Sequence, residues 1–135
     1  MEHLSKKNLN KYLRYYRNIL IIPKSWEIKI KLDNEIDEYA NVEWEYKHKK
    51  FTININPNKT KTLDDLKDSI IHELLHILFS PTSTKIHSTL NKIAKREKIN
   101  IIITKKNFDK IEELLIIHLS GIIFNIMKGS NNAKK

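Results

Sequence analysis

The segment Ile70-Ile-His-Glu-Leu-Leu-His-Ile-Leu-Phe79 decides how the rest of the chain is read. His72 and His76 are four residues apart, so on a helix both imidazoles leave the same face one turn apart. That spacing lets both bind one zinc ion, and Glu73, about 100° round the helix, can reach a water on that metal. The composition gives this pattern a chance expectation of only about 0.02 in a chain of this length. Apolar residues surround the three polar ones on every side, as in a helix buried nearly all round. An unpaired buried charge is costly, so these side chains need partners. The alternative to a metal is two core histidines bonded to backbone, with Glu73 in a salt bridge.

Tetrahedral zinc at a working site takes three protein ligands and keeps one position open. Phe79 and Thr82 occupy the positions three and six after His76, so no third histidine follows closely. The candidates are His87, Asp109, Glu112, Glu113 and His118. On a helical wheel of the last long helix, Glu112 falls inside the apolar stripe formed by Ile111, Leu115, Ile116, Leu119, Ile122, Ile123 and Ile126. A carboxylate in a core-facing stripe is explained by metal ligation, so the wheel selects Glu112. Glu113, on the stripe's margin, is the next choice and otherwise a solvated charge. His118, on the other margin, is a core-edge or supporting residue. Asp65, Asp68 and Ser69 share the side of His72 and His76 and could orient an imidazole, or simply cap the helix. His87 could stabilise an oxyanion or be a plain surface histidine, and Tyr39 and Tyr46 are equivalent candidates for that role.

Working outward, Thr62 with Asp65 fits a helix start signal, and Pro81 predicts an end near Phe79. A weaker amphipathic helix is expected over 84–98, a short apolar piece at Ile99–Ile103, and a long helix over about 107–127. Upstream, 5–20 has helical spacing and Pro23 ends it. Residues 26–32, 42–46 and 51–55 alternate apolar with polar and read as three strands, with 47–50 as a hairpin connection. The expected fold class is α+β: a small twisted antiparallel sheet packed with the N-terminal helix, the metal helix and the glutamate helix. One domain is expected over 1–128, with a polar, mobile tail at 129–135.

Composition narrows the chemistry. The chain has 135 residues, 40% hydrophobic and 30% charged, and no cysteine, which excludes disulfides, zinc–thiolate sites, iron–sulfur clusters and cysteine nucleophiles. The longest apolar runs are too short to cross a bilayer, and no signal-peptide core is present, so a cytoplasmic location is expected. The net charge of +9 raises the idea of nucleic acid. However, 22 Lys, 23 Ile and 14 Asn are the residues of A/T-rich codons, and only three arginines are present. Any nucleic-acid binding is therefore expected to be unspecific.

Taken together, these segments resemble the small zincin-like metallopeptidases of the gluzincin type, a family often carried by phages. Trp26-Glu-Ile-Lys-Ile is similar to the family's first strand, and Val42–Tyr46 and Phe51-Thr-Ile-Asn-Ile to its hairpin. Ile71-His-Glu-Leu-Leu-His is similar to its metal helix, and Glu112-Glu-Leu-Leu-Ile-Ile-His to its glutamate helix. The resemblance spans about residues 20–127. It implies one zinc per chain on His72, His76 and Glu112, with Glu73 as general base hydrolysing a peptide or protein substrate. It also implies an edge strand that holds an extended peptide, here Phe51, Thr52, Ile53, Asn54 and Ile55. The motif leaves open which adjacent glutamate matches, and the wheel decides for Glu112. Two alternatives stand beside this reading. One is a zinc-stapled binding module without catalysis. The other is a SprT-like protease acting on nucleic-acid-bound proteins, which would need His87 or His118 as a third histidine. The sequence does not show oligomeric state.

Overall fold

In the computed structural model, residues 2–45, 48–97 and 101–133 are described. The architecture is α+β, with three helices and a small three-stranded mixed sheet. After a short 3-10 turn at Glu2–Leu4, helix α1 spans Lys6–Ile19. Ser5 caps it by accepting the Asn8 backbone N–H at 3.2 Å. Its apolar stripe buries Leu9, Leu13 and Tyr16. The helix ends in a Schellman arrangement: Ile22 N–H reaches the Arg17 carbonyl and Ile21 N–H the Asn18 carbonyl, both at 3.2 Å. Ile21 takes the left-handed position with φ of 55°. Arg17 then donates to the carbonyls of Pro23 and Trp26, which fixes the path into the first strand.

Strands β1 (Glu27–Leu32), β2 (Ala40–Glu45) and β3 (Lys50–Ile55) follow. Their order in the sheet is β1-β3-β2. β2 runs antiparallel to β3, but β1 runs parallel to it, so the expected all-antiparallel sheet is corrected to a mixed one. The cause is the connection 33–39, which crosses the end of β3 instead of turning back beside β1. Asn56 pins that crossing. Its side chain donates to the Ile36 carbonyl at 2.8 Å, and its backbone N–H donates to the Tyr39 carbonyl at 2.8 Å. Lys59 also donates to the Asp37 carbonyl. The inner face of the sheet carries Ile28, Phe51, Ile53, Ile55 and Ala40 into one core with Leu66, Ile70, Ile71, Leu74 and Ile77. Tyr46 and Lys47, read as strand end and hairpin, lie outside the described residues.

Helix α2 spans Leu63–Glu97. Its start is the expected capping box: Asp65 N–H donates to Thr62 Oγ1 at 3.1 Å, and Thr62 N–H to Asp65 Oδ2 at 3.2 Å. Its end is not where Pro81 predicts, because the helix continues through the proline and takes in residues 84–97 of the separate helix expected at 84–98, residue 98 lying outside the described residues. Proline removes the N–H that would bond the Ile77 carbonyl. The buried Ser80 hydroxyl takes over, donating to that carbonyl at 2.7 Å. Helix α3 spans Ile101–Ala133 and packs along α2. It takes in part of the apolar piece expected at 99–103. It also takes in most of the expected mobile tail, since residues 129–133 are helical. Among the described residues, no helix is long and apolar enough to cross a membrane.

Candidate metal centre

His72 and His76 leave α2 on the side facing α3, with ring centroids 5.0 Å apart. Glu113 of α3 lies across both rings. Its Oε1 is 2.9 Å from His72 Nε2, and its Oε2 is 2.9 Å from His76 Nε2. Each of the three residues offers a ligand atom within 4.8 Å of the other two, a donor set that could hold one metal ion. The carboxylate in this set is Glu113, where the wheel selects Glu112. Glu112 instead accepts the Ser83 hydroxyl, and its nearest histidine nitrogen, His76 Nδ1, is 3.7 Å away.

Glu73 sits beside His72 and is buried, with 6% of its surface exposed. Burial pushes its carboxyl up to about 8, and the nearby charges of Glu113 and Glu38 add to the shift. A divalent cation on the neighbouring donors would reverse this by favouring the ionised form. Burial also lowers the pKa of His72, which favours the neutral imidazole that a metal requires. Two imidazoles and a carboxylate are a donor set that suits a borderline divalent cation.

A cleft of about 770 Å³ opens over these groups. Its other walls come from Glu38 to Val42 and Trp44 on one side and Asp65, Asp68 and Ser69 on the other. Burial raises the pKa of Asp68, Asp65 adds to the rise, and His72 opposes it. Asp65 is occupied as the helix cap, accepting from Lys61 and Thr62. Tyr39 lines this cleft and is 56% exposed. A second cavity of about 670 Å³ lies between α2 and α3 and shares Trp44, His76 and Glu113 with the first. His87 lines it, held by Asp109 at 2.9 Å and by the edge of the Phe108 ring. His118 lines neither cavity and is exposed on the far face of α3. Neither histidine therefore joins the His72–His76 cluster.

The expected peptide-holding strand is also corrected. Phe51, Thr52, Ile53, Asn54 and Ile55 form β3, which is central and bonded on both sides. The strand with a free edge at the cleft is β2. Sequence reading did not anticipate Trp44 at the junction of both cavities, or the His87–Asp109 pair. The only available signal was a large aromatic in a strand otherwise carrying Glu43 and Glu45.

No protein-family model, no curated protein and no solved structure matches this chain.

Proposed function

We propose that this chain is a zinc-dependent metallopeptidase of the zincin-like type. The observation that carries the reading is the convergence of His72 Nε2, His76 Nε2 and the Glu113 carboxylate, with the buried Glu73 beside them. His72, His76 and Glu113 would hold the ion. When bound, zinc supplies Lewis-acid polarisation of a carbonyl and acidifies water.

The chain's own residues supply the rest. Glu73 takes a proton from the attacking water onto its carboxylate and returns it to the departing amine, so each turnover leaves it as it began. With a cation on the neighbouring donors Glu73 would be held ionised, the form in which it can accept that proton. Ser83 donates its hydroxyl to Glu112, whose carboxylate lies 3.7 Å from His76 Nδ1 and adds negative charge beside that ring. The free edge of β2 offers backbone N–H and C=O groups to an extended peptide, which would run past Val42 and Trp44 across the donor set.

The test is the Glu73→Gln variant assayed on denatured casein. The variant retains zinc, while hydrolysis falls by roughly 10²–10⁴-fold. An unchanged rate in a zinc-loaded variant contradicts the proposed base.

A further inference from the structure

Helix α3 has a second apolar face that the fold leaves uncovered. Ile111 is 64% exposed, Leu114 59%, Leu115 48%, Ile122 42% and Ile126 62%. These positions recur at helical spacing and form one stripe on the side away from α2, with His118 and Asn125 among them. No charged side chain falls within the stripe between Ile111 and Ile126. A surface helix of a monomer carries such residues singly, whereas this is a continuous row. Five half-exposed side chains amount to roughly 500 Å² of apolar surface, and two copies face to face reach roughly 1,000 Å², where specific interfaces begin.

We propose that this stripe is a homodimer interface in which two α3 helices pack antiparallel about a two-fold axis. The spacing favours a second copy over an unrelated partner. Leaving aside Leu114 at the stripe's margin, the intervals from Ile111 to Leu115, Leu115 to Ile122 and Ile122 to Ile126 are four, seven and four residues, the same in either direction. An antiparallel two-fold therefore sets Ile111 against Ile126 and Leu115 against Ile122, each contact made twice, with His118 near the axis. The alternation of four- and three-residue steps through His118 is that of a short coiled-coil seam. The uncharged stripe also lets two chains of net charge +9 meet without placing like charges in contact. The opposite face of α3 carries Glu112 and Glu113, so dimerisation leaves the clefts open. The inference is independent of metal binding.

Sedimentation equilibrium of the full chain tests it. The wild type has twice the 16.1 kDa chain mass at ~100 µM protein. Leu115→Glu, at an exposed position, gives the single-chain mass with an unchanged far-ultraviolet circular dichroism spectrum. Adding Ile122→Lys to Leu115→Glu restores the dimer, because the new charges meet across the axis. A single-chain mass for the wild type overturns the proposal, as does a dimer untouched by Leu115→Glu. Failure of the double variant to reassociate overturns the antiparallel arrangement. A wild-type complex with any other protein in place of the dimer also overturns it.

Discussion

Ser80 and Pro81 show how one side chain keeps a helix whole. The proline leaves the Ile77 carbonyl without its usual partner in a buried stretch, and the Ser80 hydroxyl fills that role at 2.7 Å. Losing this bond leaves a buried acceptor unmade, which costs about 1–2 kcal/mol. Ser80→Ala is therefore expected to destabilise the natural chain by about 1 kcal/mol more than it destabilises a Pro81→Ala background, where the backbone N–H returns. Urea unfolding of the four proteins measures the difference, and equal costs in both backgrounds contradict the account. His72, Glu73 and His76 were legible from spacing alone, because four residues on any helix define one face. Which of Glu112 and Glu113 meets the two imidazoles was not. The wheel assumes one buried stripe, and α3 has two apolar faces: an inner one with Ile116 and Ser120, and an outer one with Ile111, Leu115, Ile122 and Ile126. Averaging the two pulled the apparent centre away from Glu113. The inner face alone places the two glutamates on either side of Ile116.

At the scale of elements, the turn after α1 holds a residue in a strained backbone conformation. Ile21 holds φ of 55°, a β-branched residue in the left-handed region, and is 84% exposed. Such a residue is disfavoured there by about 1–2 kcal/mol, and glycine is the usual occupant. Ile21→Gly is expected to stabilise the protein by about 0.5–1 kcal/mol, after the greater freedom of glycine in the unfolded chain is subtracted. Thermal or urea denaturation checks this, and a destabilised variant would mean that Ile21 makes contacts its exposure does not suggest. The three strands and the capped start of α2 were legible from alternation and from Thr62 with Asp65. Strand neighbours were not, because alternation marks a strand without naming its partner. The connection that leaves β1 parallel to β3 is held across the sheet end by Asn56, which donates to the Ile36 and Tyr39 carbonyls. Nothing about an Asn-Pro-Asn segment distinguishes that role from an ordinary turn. The same error moved the peptide-holding edge from β2 to β3.

The whole molecule places its charges unevenly. The chain carries +9, yet among the described residues no lysine or arginine lines either cavity, while Glu38, Asp65, Asp68, Glu73, Asp109, Glu112 and Glu113 do. A cation suits this site and a phosphate does not, which separates the cleft from any unspecific attraction of the basic surface to nucleic acid. In the proposed function, α2 and α3 close on one metal through His72, His76 and Glu113. The most direct measurement is elemental analysis of the purified wild type beside His72→Ala, Glu113→Ala and Glu112→Ala, each checked for folding by circular dichroism. The account predicts about one zinc per chain in the wild type and in Glu112→Ala, and loss of zinc in the other two. A wild type that takes up no metal when incubated with zinc contradicts it, as does a Glu113→Ala protein that keeps its zinc while Glu112→Ala loses it.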